Sequence, residues 1–281
     1  MQPSVSVLGL GLMGRPIARR LLASGLPVRA WNRSALPDDL TRGIPLVAQL
    51  EDAARAEICL LMLADAQAVE EVLNRVEPSL SSGQLVLDMG TSDPAKSRTY
   101  ARRLGARGIG WVDAPVSGGP DGAEKGSLAI MVGGTEENFA RARPVLEPLG
   151  TPLRVGDAGA GHTAKLINQL IVGLTIEAVA EALTLAEKSG LDPRLVQGAL
   201  RGGYADSKIL QVHGSRMISR KYAPGGRAKT QLKDMKMALS LAMSVSSRTP
   251  NLRTVADMYQ KLVDQGDGDL DHSALHKLLW S

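Results

Sequence analysis

The stretch Val5-Ser6-Val7-Leu8, followed at once by Gly9-Leu10-Gly11-Leu12-Met13-Gly14, governs how the rest of the chain is read. The first four residues read as a short strand. The next six fit G-x-G-x-x-G, and a helical pattern, Ile17-Ala18-Arg19-Arg20-Leu21-Leu22, comes directly after them. In this order the glycines have separate tasks. Gly9 makes a tight turn, Gly11 lets the backbone approach a pyrophosphate, and Gly14 lets helix and strand pack closely. The helix N-terminus then points partial positive charge at the anion. Gly9, Gly11, Leu12, Met13 and Gly14 are therefore expected to bind a dinucleotide, the alternative being an ordinary glycine-rich turn.

A second strand is expected at Val28-Arg29-Ala30-Trp31, and Asn32-Arg33-Ser34 follows it. An NAD site would place Asp or Glu there to bond the ribose 2′-hydroxyl. An arginine instead pairs with a 2′-phosphate through two donors. Asn32, Arg33 and Ser34 therefore favour NADP(H), with NAD(H) still open and a solvated loop arginine as the plain alternative.

Working outward, Ile58-Cys59-Leu60-Leu61-Met62-Leu63 and Leu128-Ala129-Ile130-Met131-Val132 are continuous apolar runs, and Leu85-Val86-Leu87-Asp88 looks the same up to its closing Asp88. Such runs suit strands buried on both faces. Helical segments at 65–76 and 97–104 lie between them, which predicts βαβ units and a mostly parallel sheet. The second half changes character. Residues 162–189 contain no proline and a lone Gly173, with apolar residues at Leu166, Leu170, Leu174, Ala178 and Ala182 and Gly190 as the stop. At 1.5 Å per residue this helix would be roughly 42 Å long, long enough to connect two domains. Further helices are expected at 193–201, 232–246 and 252–265. The fold class expected is an α/β Rossmann-type N-terminal domain over 1–160, followed by an all-α C-terminal domain over 161–281.

Composition narrows the function. The 281 residues carry 33 Lys+Arg against 29 Asp+Glu, a net charge of +4, with 3% aromatics. Neither a nucleic-acid footprint nor a base-stacking platform is expected from that balance. A single cysteine, Cys59, excludes a disulfide framework and a cysteine zinc site, and no metal is expected. Cys59 itself reads as a packed thiol. No apolar run of 18 suggests a membrane span. Met1-Gln2-Pro3-Ser4 has no basic leader, so a cytoplasmic chain is expected.

Three further motifs carry chemistry. In Asp113-Ala114-Pro115-Val116-Ser117-Gly118-Gly119, Ser117 and two glycines offer a hydroxyl and bare N–H groups, a small nest whose natural guest is a carboxylate. An ordinary turn is the alternative. In Gly159-Ala160-Gly161-His162-Thr163-Ala164-Lys165-Leu166-Ile167-Asn168-Gln169, Lys165 is expected in about the first helical turn. There the helix dipole and burial would both push its pKa below the usual roughly 10.4, toward general acid/base use. A solvated surface lysine is the alternative. His162 reads either as a second acid or as a helix-start residue. In Gln231-Leu232-Lys233-Asp234-Met235, Lys233 could reach a cofactor or form a plain surface charge pair with Asp234.

Together, Gly9–Gly14, Asp113–Gly119, Gly159–Lys165 and Lys233-Asp234 resemble the β-hydroxyacid dehydrogenase family over essentially the whole chain. That family includes 3-hydroxyisobutyrate dehydrogenases, tartronate semialdehyde (2-hydroxy-3-oxopropionate) reductases and glyoxylate/succinic semialdehyde reductases. The resemblance implies hydride transfer between a nicotinamide and a small β-hydroxy acid or its semialdehyde. It implies Lys165 as the catalytic acid/base. Asn168 matches a substrate-positioning amide, which some relatives carry one place later, at Gln169 here. Ser117, Gly118 and Gly119 match the substrate-carboxylate turn, and Thr91 a hydroxyl near the nicotinamide ribose. Met62 and Leu63 match a cofactor-covering loop, and Lys233 a cofactor-side lysine. Asp271-His272-Ser273-Ala274-Leu275 and Gly202–Ser207 look like the tartronate semialdehyde reductase branch, whereas Asn32-Arg33-Ser34 looks like the NADPH-using glyoxylate reductases. The 6-phosphogluconate dehydrogenases have a larger C-terminal domain, and imine reductases usually lack the lysine. Tyr204, Ser207, Lys208 and Arg227 are specificity candidates by location alone. The exposed apolar side expected of the long helix suggests a homodimer or homotetramer. A catalytically silent dinucleotide-binding module is the competing class, because fold does not fix function.

Overall fold

The computed structural model describes residues 2–280. The chain forms two compact units, Met1–Lys165 and Leu166–Ser281. The first runs β1 (Val5–Leu8), α1 (Gly14–Ala23), β2 (Val28–Trp31), the single-turn α2 (Asp38–Thr41) and α3 (Leu50–Ala53), then β3 (Ile58–Leu61), α4 (Ala66–Val76) and β4 (Leu85–Asp88). It continues with α5 (Pro94–Gly105), β5 (Gly110–Asp113), β6 (Val116–Ser117), α6 (Gly119–Lys125), β7 (Leu128–Gly133), α7 (Glu136–Leu146) and β8 (Gly150–Gly156). The strands form one sheet in the order β2-β1-β3-β4-β5-β7-β6, with β8 paired to β7. Pairings from β2 through β5 and between β7 and β8 are parallel; β5–β7 and β6–β7 are antiparallel. Beyond β2, a parallel bridge from Ala30 to Leu46 adds a rudimentary edge strand.

The continuous apolar runs are explained by two cores. Val5, Val7, Leu60, Leu85, Leu87 and Val112 enter one; Leu8, Cys59, Leu61, Val86 and Trp111 enter the other. Side chains alternate across a strand, so a sheet covered on both faces needs apolar residues at every position. Burial pushes the Cys59 thiol up to about 12, which makes it the packed thiol expected.

The second unit is helical. It contains most of α8 (Ala160–Lys188), then α9 (Pro193–Leu200), α10 (Lys208–Ser219), α11 (Ala228–Ser244), α12 (Pro250–Leu262) and a 3-10 segment, His272–Leu278. α8 starts two residues earlier than its sequence pattern suggests and ends at Gly190, whose φ of +79° suits a residue without Cβ. Of the stripe at spacing four, Leu166 is buried, but Ala178 and Ala182 are exposed. Each four-residue step overshoots a 3.6-residue turn by about 40°, so a strict i+4 series walks off the core face. The buried series is Leu166, Ile176, Val179, Ala180 and Leu183, packed in one core with Leu232, Met235 and Leu252. Gly173 lets α8 and α11 approach: a Cβ there would lie 2.9 Å from both Gln231 Nε2 and Met235 Sδ. α8 is long and apolar enough to cross a membrane by length and composition, but this stripe belongs to the core of the helical unit.

Candidate active site

In an open parallel sheet, ligands bind beyond the carboxyl ends of the strands, where the chain order reverses. Here β1 sits between β2 and β3, which makes the ends of β1 and β3 the reversal point. The Gly9–Gly14 turn leaves the end of β1. A Cβ on Gly14 would lie 1.8 Å from Gly9 O, and one on Gly9 would lie 2.4 Å from Met62 O and 3.1 Å from Leu63 Cδ2. The turn is therefore packed tightly against the helix it opens and against the Met62–Leu63 loop. Gly11 differs: nothing lies within 4 Å of its Cβ position, which leaves room for a pyrophosphate at the backbone. These residues fit a dinucleotide. Leu12 and Met13, half-buried, complete the turn into α1.

The next loop divides its labour in a way the sequence did not indicate. Asn32 Oδ1 accepts the Leu10 N–H at 2.9 Å, and Asn32 Nδ2 donates to Ser34 O at 2.7 Å. Asn32 therefore pins the glycine turn. Arg33 keeps a side chain 79% exposed, its nearest acid being Glu71 at 3.8 Å. A cation so weakly held is available to an anionic guest.

The ends of β4 and β5 carry the largest addition to the sequence reading. Asp88 and Asp113 end these strands as register partners, and both are fully buried. Asp88 Oδ1 accepts the Gly90 N–H at 3.1 Å, shaping the loop that bears Thr91. Asp113 Oδ1 accepts from Gly159 N at 2.7 Å and Oδ2 from His162 N at 2.9 Å, so a side chain from β5 caps the start of α8. Burial pushes the Asp113 carboxyl up to about 6, against the backbone hydrogen bonds from Gly159 and His162 that favour its charged form.

The His162 ring is also fully buried. Its Nε2 lies 3.6 Å from Asp88 Oδ2, its Nδ1 lies 3.9 Å from Asp113 Oδ2, and Ser97 Oγ is 3.0 Å from Nδ1. Trp111 Nε1 donates to the same Ser97 oxygen at 3.2 Å. Ser97 therefore bridges the Trp111 indole and the His162 ring, with both Asp88 and Asp113 carboxylates close to that ring. Gly161 is fitted just as tightly, since a Cβ there would lie 2.4 Å from Asp113 O and 2.5 Å from Met131 O. Of the two readings of His162, this is a helix-start residue with a built environment. Asp88 and Asp113 were not singled out by sequence, although each is a carboxylate closing an otherwise apolar strand.

Lys165 is 7% exposed. The reading of it as a solvated surface lysine therefore falls away. It is the sixth residue of α8, in the second turn instead of the first. Ser117 ends the short strand β6 four residues after Asp113, and Gly118 and Gly119 follow with φ of +138° and +68°. These backbone values favour residues without a Cβ.

In the helical unit, Asn168 Nδ2 donates to Gln169 Oε1 at 2.9 Å, and Gln169 Nε2 donates to Asp234 Oδ2 at 2.7 Å and to Gln231 Oε1 at 3.1 Å. Lys233 Nζ lies 3.1 Å from Asp234 Oδ1. The charge pair considered for Lys233 and Asp234 exists, but Asp234 is buried, so it is not a surface pair. Gln169, Gln231 and Asp234 thus tie Asn168 on α8 to Lys233 on α11. The pattern showed only that each residue was polar, because the pairing spans 62 to 65 positions of sequence.

A doubly wound sheet with a glycine turn at its reversal point, together with an all-α second unit, defines a dinucleotide-binding class of protein. Comparison with known proteins narrows the class. Residues 4–160 match the model of the NAD-binding domain of 6-phosphogluconate dehydrogenase. Residues 159–279 match that of the NAD-binding domain of NADP-dependent 3-hydroxyisobutyrate dehydrogenase. The chain is 39% identical to 2-hydroxy-3-oxopropionate reductase of Escherichia coli K12, over 97% of this chain and 95% of the relative. It is 34% identical to 3-hydroxyisobutyrate dehydrogenase of Pseudomonas aeruginosa, over 98% of this chain and 97% of that one. The solved structure of Mycobacterium tuberculosis 3-hydroxyisobutyrate dehydrogenase with L-serine superposes with a TM-score of 0.87 at 29% identity, covering 100% of both chains. The chain belongs to the β-hydroxyacid dehydrogenase family, whose members are NAD(P)-dependent dehydrogenases and reductases.

Proposed function

We propose that this enzyme interconverts a small semialdehyde and its β-hydroxy acid, of the 2-hydroxy-3-oxopropionate type, using NADP(H), with Lys165 as general acid/base. The observation that carries this reading is the docking of α8 on Asp113. It anchors the helix that holds Lys165 to the carboxyl end of β5, the edge where the Ser117 turn and the glycine turn also lie. The 39% relationship to a 2-hydroxy-3-oxopropionate reductase supports the substrate class.

The bound nicotinamide supplies or accepts the hydride. The chain's own residues do the rest. Ser117 Oγ and the N–H groups of Gly118 and Gly119 hold the substrate carboxylate. In reduction, Lys165 Nζ hydrogen-bonds the carbonyl oxygen and gives it a proton as charge develops there. In oxidation, the neutral amine takes the hydroxyl proton. Asn168 orients the substrate one helical turn beyond Lys165. Thr91, Met62, Leu63 and Lys233 would help to hold the cofactor, and Arg33 would take its 2′-phosphate.

The test is a panel of short semialdehydes and hydroxy acids, including 2-hydroxy-3-oxopropionate, 3-hydroxyisobutyrate, glyoxylate and succinic semialdehyde, followed at about 340 nm with each nucleotide. Highest kcat/KM for 2-hydroxy-3-oxopropionate with NADPH supports the proposal. A preference for glyoxylate or succinic semialdehyde overturns the substrate assignment. Tight nucleotide binding with no turnover across the panel overturns the enzymatic reading.

A further inference from the structure

The helical unit contains a cluster that the hydride chemistry does not use. His213 on α10 and His272 in the 3-10 segment bring their Nε2 atoms to 3.2 Å. Asp271 Oδ1 lies 3.3 Å from His213 Nδ1. The imidazole centroids are 4.5 Å apart with ring planes at 83°. Two rings aligned along a single N–H···N bond would add a full ring radius at each end to the nitrogen separation, and 4.5 Å falls short of that. The rings are inclined to each other, and one ligand atom from each of His213, His272 and Asp271 lies within 4.8 Å of the other two.

These distances match the needs of a bound cation. Two Zn–N bonds of about 2.0–2.1 Å spanning 3.2 Å subtend roughly 100°, close to tetrahedral. A ligating imidazole commonly directs its other nitrogen at a carboxylate, which sets the tautomer and aims the lone pair. Asp271 fills that place for His213 and is itself held in position. Its Oδ2 accepts from the Arg216 guanidinium and from Gly225 N at 2.9 Å and Gly226 N at 3.2 Å. Its Oδ1 accepts from Ser273 Oγ at 2.6 Å and Ser273 N at 3.1 Å. Fully buried, with Arg216 balancing its charge, Asp271 acts from behind the imidazole and does not bind the ion directly. The His213 side chain is 17% exposed, which gives an ion a route in.

We propose that His213 and His272 form a two-imidazole site for a divalent transition-metal ion of the zinc, cobalt, nickel or copper class, with Asp271 orienting His213 and water filling the open positions. Imidazole suits these ions, whereas magnesium and calcium demand oxygen ligands. The ion would clip α10 to the 3-10 segment. Because it would bind only the folded arrangement, it would raise thermal stability with concentration.

The experiment uses the full-length, tag-free, chelator-treated protein titrated with Co²⁺ and Zn²⁺ by calorimetry and with Co²⁺ by visible absorption. One ion per chain is expected, with a rise in Tm that Mg²⁺ does not reproduce. His272→Gln and His213→Asn should each weaken binding tenfold or more while nucleotide binding is kept. Should either variant fail to fold, paramagnetic Ni²⁺ added to wild-type protein should broaden the ring-proton signals of two of the four histidines. No saturable binding up to millimolar metal, or binding unchanged in His272→Gln, overturns the proposal, as does broadening of fewer than two histidines.

Discussion

Asp113 Oδ2 accepts the backbone N–H of His162 at 2.9 Å, so a strand-end carboxylate holds the first turn of the helix that bears Lys165 three residues later. An asparagine at position 113 would keep one acceptor and turn the other into a donor facing a backbone N–H. Asp113→Asn is expected to lower kcat by about 10–100-fold through misplacement of α8, with nucleotide affinity nearly unchanged. Steady-state kinetics beside fluorescence titration of NADPH would show it; wild-type kcat in the variant would refute the positioning role.

Lys165→Ala removes the buried amine itself. Turnover should fall by about 10²–10⁴-fold while the variant still binds nucleotide. The decisive comparison is kcat against Kd for NADPH measured on the same preparation. Near-normal turnover would move the acid/base function to another group.

Arg33 is exposed and weakly engaged, so its replacement should not disturb the fold. Arg33→Ala should raise KM for NADPH about tenfold or more, the cost of one charge-assisted contact, and leave KM for NADH alone. Equal effects on both nucleotides would mean that Arg33 does not read the 2′-phosphate.

Glu177 on α8 titrates at about 7, raised by burial and then by the proton it shares with Glu181. The folded chain therefore holds this proton more tightly than the unfolded chain, where the carboxyl returns to its ordinary 4.5. The favourable contribution is complete below that value and is lost as pH climbs toward 7. Glu177→Gln should thus be more stable than wild type at about pH 8 and no more stable at about pH 4, as read by urea midpoints at the two pH values. A pH-independent difference would contradict the shared proton.

Gly161 is set against backbone that cannot yield easily. Gly161→Ala places its methyl against the carbonyl oxygens of Asp113 and Met131, and a loss of about 1–3 kcal/mol in unfolding free energy is expected. Denaturant unfolding would test it, and an unchanged midpoint would show that α8 can shift.

Much of this molecule follows from local pattern. Period-2 burial on both faces of a sheet favours apolar runs, so Ile58–Leu61 and, apart from the buried Ser6 and Asp88, Val5–Leu8 and Leu85–Asp88 can be read as strands directly. The glycine turn is equally readable, because its tasks are steric and lie within six residues. Lys165 could be named from its motif, but only the fold shows that it is buried. Beyond that reach, the contacts are long-range. The cap from Asp113 to α8 spans 46 and 49 positions, the link from Gln169 to Asp234 spans 65, and the His213–His272 contact spans 59. An isolated Asp, Gln or His has the same composition whether it is solvated or locked in a buried network. Which of the two it becomes is settled when packing removes water and leaves one partner within hydrogen-bond reach, and that event belongs to the tertiary structure.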